Sequence, residues 1–107
     1  MILVTGATGF VGRHLVRRLC GAGEAVRCLV RPGSPGLEWL QSHPVEVMPG
    51  HLLDADAVAA ACQGSRRIIH LAAPIHEGRD AWVERVHCEG MASLVEGARA
   101  ARVERLL

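Results

Sequence analysis

Ile2-Leu3-Val4-Thr5-Gly6-Ala7-Thr8-Gly9-Phe10-Val11-Gly12 opens as an unbroken apolar run and then meets three glycines, each separated from the next by two residues. Ile2 to Thr5 reads as a strand buried on both faces, since it shows no polar alternation. From Phe10 to Cys20 apolar residues recur at 11, 15, 16, 19 and 20, with Arg13, Arg17 and Arg18 on the other side and Gly21 and Gly23 closing the segment. That pattern is an amphipathic helix with basic residues near its negative C-terminal end. A glycine-rich loop between such a strand and such a helix is where the diphosphate of a nucleotide binds. Gly6 permits the tight turn out of the strand, Gly9 admits the diphosphate to the backbone, and Gly12 lets the helix pack close to the sheet. Thr8, Phe10 and Val11 complete the loop, and the first N–H groups of the helix face the phosphates from its positive end. A Walker-type loop is excluded, because it needs a lysine and the chain has none.

Outward from this loop, apolar runs and helical patterns alternate. Further strands are expected at Ala25–Val30, Val45–Met48, Ile68–Leu71 and Val103–Leu107. Helices are expected at Leu37–Ser42, from an N-cap at Asp54 to Cys62, and from Asp80 to Ala101, where apolar or small residues stand at 83, 86, 90, 94, 98 and 101. Such alternation makes a parallel sheet covered by helices on both faces, and right-handed crossovers lead to a doubly wound sheet of order 3-2-1-4-5. The text stops inside the fifth strand, so residues 1–107 are expected to be the N-terminal portion of a nucleotide-binding domain in a longer protein.

Composition narrows the function. Half of the 107 residues are hydrophobic and 21% are charged, which fits a packed core and excludes a disordered chain. A net charge of +1 leaves no electrostatic footprint for nucleic acid or anionic lipid. No apolar run reaches the roughly 18–20 residues of a membrane span, and no secretory signal precedes Ile2, so a cytoplasmic protein is expected. Cys20, Cys28, Cys62 and Cys88 are scattered and read as free, buried thiols. His76, His87 and Cys88 lack the i, i+4 spacing of helical zinc ligands, so no metal is expected. His70 is read as bonded to backbone, and Trp39 and Trp82 as packing residues. Lysine, tyrosine and asparagine are all absent, which removes a tyrosine acid or a lysine base from these residues.

Thr5-Gly6-Ala7-Thr8-Gly9-Phe10-Val11-Gly12 resembles the cofactor motif of the extended short-chain dehydrogenase/reductases, the NAD-dependent epimerase/dehydratase group, in its dihydroflavonol-reductase-like or sugar-epimerase-like branch. The resemblance continues in order through Val26–Ser34, Gly50–Asp54, Ile69-His70-Leu71-Ala72-Ala73, Val86–Met91 and Val103–Leu107, and so spans the chain. It implies a Rossmann-type fold truncated at the fifth strand. It also implies cofactor contacts from His51, Leu52, Leu71, Ala72 and Ala73, and a homodimer formed through helix 80–101 in the complete protein. The family's Tyr-x-x-x-Lys pair would lie beyond Leu107, so the chain alone is expected to be catalytically inactive. Three positions depart from the pattern. His51 stands for an aspartate that contacts the adenine amino group, His87 for an asparagine, and Met91 for a threonine.

Selectivity is read from the residues themselves. NAD sites place Asp or Glu about 20 residues beyond the loop, at the end of the second strand. Here Arg31 holds that place, with no acid between Val26 and Gly36. A guanidinium suits a 2′-phosphate, with Arg13 a second candidate near it, so NADP is preferred and NAD is the alternative. Two functions follow: the cofactor half of an NAD(P)-dependent oxidoreductase or epimerase, or a non-catalytic dinucleotide-binding module or redox sensor.

Overall fold

The computed structural model describes residues 1–72 and 80–107. Five parallel strands, β1 (Ile2–Thr5), β2 (Val26–Val30), β3 (Glu46–Pro49), β4 (Arg67–His70) and β5 (Arg105–Leu106), lie in the order β3-β2-β1-β4-β5, as expected. The helices are α1 (Phe10–Gly21), α2 (Leu37–Gln41), α3 (Ala55–Cys62), α4 (Asp80–Arg85) and α5 (Met91–Ala100).

The central strand explains the unbroken apolar run. All four residues of β1 are buried, and successive side chains point to opposite faces. Ile2 and Val4 join Val16 of α1 and Leu40 of α2, while Leu3 joins Val58 of α3, Ile68 of β4 and Leu94 of α5. Each fully buried aliphatic side chain stabilises the fold by about 1.5–3 kcal/mol. Asp54 caps α3 as expected, its Oδ1 accepting from the backbone N–H of Asp56 at 3.1 Å and of Ala57 at 3.2 Å. Arg27 ties β2 to its surroundings, donating to Glu46 of β3 at 2.9 Å and to the Ala61 carbonyl of α3 at 2.8 Å.

The expected long helix over 80–101 is interrupted. Residues Val86–Gly90 form a π-helical turn between α4 and α5. The spacing holds the reason. Val86, Gly90, Leu94 and Ala98 are all buried, so three turns take 12 residues where an α-helix takes about 10.8. One wider turn absorbs the surplus and keeps all four on the inner face. Gly90 then meets Leu52, where an added Cβ would stand 3.2 Å from the Leu52 Cβ, and Gly97 lies against Cys62 of α3. The fifth strand is also shorter than expected, although Leu107 N still donates to the Ile68 carbonyl at 2.9 Å. Of the cysteines, Cys28 and Cys62 are buried, Cys20 is half-buried, and Cys88 on the π turn is exposed, against the expectation for all four. Burial, aided by Cys20, pushes the Cys28 thiol up to about 12. Among the described residues no helix is long and apolar enough to cross a membrane.

Among the described glycines the closest approach is between backbones. A Cβ on Gly12 would run into the Gly6 carbonyl oxygen and stand 2.7 Å from the Ala7 Cα. Gly12→Ala should therefore destabilise the protein by about 1–3 kcal/mol, the scale of an overpacked site. Gly21→Ala, at a position with nothing within 4 Å, should leave stability equal or slightly higher. Thermal melts of the two variants check this, and equal melting temperatures would contradict it.

Candidate functional site

At the C-terminal end of β1 the chain turns at Gly6, with φ of 75°. This turn presses on the exit of β4: a Cβ on Gly6 would lie 2.6 Å from both the Ala72 nitrogen and the Leu71 carbonyl carbon. The loop closes on itself as Gly9 N donates to the Gly6 carbonyl at 3.1 Å. Gly9 then serves as the N-cap of α1 without a side chain to cap it. The first intrahelical bond runs from Arg13 N to Gly9 O at 3.0 Å, so the N–H groups of Phe10, Val11 and Gly12 precede the ladder. Gly9 differs from its two partners. A Cβ there would meet only the Gly6 oxygen, at 3.4 Å. The fold needs glycine at 6 and 12, whereas at 9 glycine leaves open space in front of the helix.

A cleft of about 280 Å³ runs from this loop across the ends of β1 and β2. Of the residues singled out from sequence, Gly6, Thr8, Gly9, Arg31, His51, Leu52 and Ala72 line it. Phe10 and Val11, 81% and 60% exposed, do not line it, Gly12 is buried beneath the loop, and Leu71 meets Gly6 through backbone. Ala73 and His76 lie outside the described residues. Ser34, Gly50, Trp82 and Val86 also line the cleft and were not foreseen. Ser34 was recoverable, since Pro32 and Gly33 make a turn that returns its N–H to the Arg31 carbonyl at 3.1 Å. Trp82 was not, because periodicity alone does not separate a cleft wall from a core position.

The basic residues divide. Arg31, exposed at the end of β2, reaches the cleft. Arg13, expected beside it, is engaged elsewhere. Its Nε donates to the Thr8 carbonyl at 3.1 Å and its guanidinium lies over Trp39, 5.3 Å from the ring centroid, with Arg17 at 5.6 Å. Arg13 thus braces the loop against α2 through a cation–π contact. His51 is held from behind, its Nδ1 accepting the Leu53 N–H at 3.0 Å. Burial, then the positive charge of Arg31, lowers its pKa below the ordinary imidazole value. His70 bonds to a side chain rather than to backbone. Its Nδ1 is 2.6 Å from the Thr5 hydroxyl, which also accepts the Ala72 N–H at 3.3 Å. A neutral ring lets the hydroxyl donate to Nδ1, which places the ring proton on Nε2.

The family model for the NAD dependent epimerase/dehydratase family matches residues 2–107. The ceramide reductase of Caulobacter vibrioides is 36% identical over 107 residues, covering 100% of this chain and 33% of that protein. The crystal structure of gox2253 superposes with a TM-score of 0.88 at 34% identity, over 99% of this chain and 32% of that one. A short-chain dehydrogenase/reductase superfamily protein from Agrobacterium tumefaciens with bound NAD gives a TM-score of 0.81, also at 34% identity, over 99% of this chain and 31% of its own. The chain therefore spans about a third of the length of these relatives.

The Thr5–His70 pair makes stability depend on pH. Burial, then the nearby His87, lowers the proton affinity of His70 in the folded state. Below the unfolded value of about 6.5, the unfolded chain then binds more protons than the folded one. Stability is full above that value, falls as pH drops below it, and levels off once the folded ring also protonates. The urea midpoint of the wild type should fall between about pH 7.5 and pH 5, and less steeply in His70→Gln. Parallel profiles for the two proteins would contradict this role.

Proposed function

Because the chain belongs to the NAD dependent epimerase/dehydratase family, we propose that its 107 residues form the cofactor-holding portion of an NAD(P)-dependent epimerase, dehydratase or reductase. Its substrate is a sugar nucleotide or a small carbonyl or hydroxyl compound, and NADP is preferred over NAD. The observation that carries this reading is the open space at Gly9 in front of the uncapped first turn of α1. There the N–H groups of Phe10, Val11 and Gly12 meet a diphosphate through backbone, which explains how Phe10 and Val11 serve the site while their side chains face outward. The relative from Agrobacterium tumefaciens, which holds NAD, supports a nicotinamide dinucleotide as the ligand.

When bound, that cofactor supplies hydride transfer. The residues of this chain bind and orient it. Gly6, Thr8 and Gly9 cradle the diphosphate, Arg31 and Ser34 face the adenosine ribose, and His51 and Leu52 border the base. Leu71 and Ala72 lead from β4 along the other side of the loop, and Ala73 is the further cofactor contact that the family resemblance implies. NADP preference rests on Arg31, a cation where an NAD site needs an acceptor for ribose hydroxyls. With neither tyrosine nor lysine among them, these residues alone carry out no turnover that needs such a pair. Met91 and Val95 of α5 remain 39% and 44% exposed, which supports this helix as the face of a homodimer in the whole protein.

Gly9→Val should weaken NADPH binding by about 100-fold or more, or roughly 2.7 kcal/mol, with the melting temperature nearly unchanged. Fluorescence titration measures this, and equal affinities in two well-folded proteins would contradict the placement. Arg31→Ala should cost NADPH about 1.5–3 kcal/mol, the scale of a hydrogen bond to a charged group, and leave NADH little affected. An equal loss for both cofactors, or for neither, would remove Arg31 from the 2′-phosphate.

A further inference from the structure

The peptide that joins Thr8 to Gly9 is the one that leads into the N-cap of α1, and both of its polar atoms are engaged. Gly9 N donates to the Gly6 carbonyl at 3.1 Å, and the Thr8 carbonyl accepts from Arg13 Nε at 3.1 Å. Thr8 and Gly9 line the cleft, whereas Arg13 and Trp39, over whose ring the Arg13 guanidinium lies, do not. The acceptor of this peptide is thus drawn to a cation outside the cleft. The same cation meets the segment that follows β2. A Cβ on Gly36, where φ is 87°, would run into an Arg13 Nη and stand 3.4 Å from the Thr8 Cβ. Gly36 is the N-cap of α2, and Leu37 N donates across it to the carbonyl of Ser34 at 3.3 Å, a residue that also lines the cleft. Below, α2 is anchored by the fully buried Leu40, and the Trp39 ring lies against His43 with centroids 4.3 Å apart.

We infer, on the diphosphate placement proposed above, that Arg13 is a positioning residue for the dinucleotide. Backed by Trp39, it keeps the Thr8 carbonyl turned to the α2 side and ties the glycine-rich loop to the Ser34–Gly36 turn. A carbonyl oxygen only accepts and carries partial negative charge, so it has nothing to offer a phosphate. A loop free to rotate this peptide would present that oxygen to the diphosphate and would have to be ordered at each binding event, which lowers affinity. Arg13 acts through the loop, so it serves what NADPH and NADH share, the diphosphate, and not the 2′-phosphate that separates them. Arg17 supplies the contrast. Its guanidinium lies over the same ring at 5.6 Å, but among the described residues only Arg13 of the two bonds to Thr8.

Dissociation constants for NADPH and NADH, read from nicotinamide fluorescence well below the melting temperature of each variant, test this role. Arg13→Ala should weaken both by the same factor, about tenfold, one hydrogen bond's worth. Trp39→Leu should weaken both about threefold, the scale of an exposed cation–π contact, and add nothing to Arg13→Ala in the double variant. Trp39→Phe keeps an aromatic face under the guanidinium and should stay within about twofold of the wild type. So should Arg17→Ala, which removes the same charge from the same helix. The comparison of Arg13→Ala with Arg17→Ala decides the matter even where Trp39→Leu does not fold. A loss confined to NADPH makes Arg13 a direct contact of the 2′-phosphate, and an equal loss from Arg17→Ala reduces it to one charge among others. Either result, or no loss from Arg13→Ala, or additive losses at 13 and 39, overturns the inference and leaves dinucleotide binding intact. Failure of the wild type to bind either dinucleotide overturns the functional reading, and the inference with it.

Discussion

At Gly6 the backbones of three elements converge with no room for a side chain. A Cβ added to Gly6 would stand 2.6 Å from the backbone of Leu71 and Ala72 at the exit of β4, and one added to Gly12 in the first turn of α1 would run into the Gly6 carbonyl oxygen. This convergence sets the register of what surrounds it. It brings the start of α1 over the end of the central strand, and it aligns the N–H groups of the first turn with the cleft rather than with the sheet. Because parallel strands all end on the same side, the ends of β2 and β4 open beside it. The β2 exit contributes Arg31, and the β3 exit contributes His51 and Leu52. A site assembled from loops in this way owes its precision to the rigid sheet below, where Leu3, Val4 and Ile68 are fully buried.

The free N–H groups at the start of α1 and the Arg31 guanidinium are donors, which suits a ligand rich in phosphate oxygens. Arg13 belongs to a different layer. Bound to the Thr8 carbonyl and stacked on Trp39, it links the glycine-rich loop to α2 and leaves Arg31 as the arginine lining the cleft among the described residues. Two arginines that look equivalent as charges thus perform separate tasks, and packing decides which.

Much of this was legible from the chain. The strand–loop–helix signal at Ile2–Gly12 is local, each residue acting on its neighbours, and its pattern led directly to β1, the turn and α1. The alternation of apolar runs and helices gave the strand order through crossover handedness. Contacts between residues distant in sequence were not legible. The Thr5–His70 bond joins positions 65 apart, and neither residue announces the other. Arg13 on an exposed helical face had no visible reason to seek Trp39. The π turn was half legible: three successive intervals of four residues carry the surplus, but a continuous amphipathic helix fits the same text. Phe10 and Val11 belong to the motif, yet their side chains are exposed and do not line the cleft.

The backbone at the start of α1 is proposed to receive the diphosphate of a dinucleotide. Amide chemical shifts of the ¹⁵N-labelled chain, followed as NADPH is added, test this. The largest changes are expected at Gly9, Phe10, Val11 and Gly12, with further changes at Arg31, Ser34 and Leu53, while the far ends of the strands near Met1, Arg66 and Arg67 stay still. Changes centred on that opposite edge, or none at the start of α1 under saturating NADPH, would contradict it.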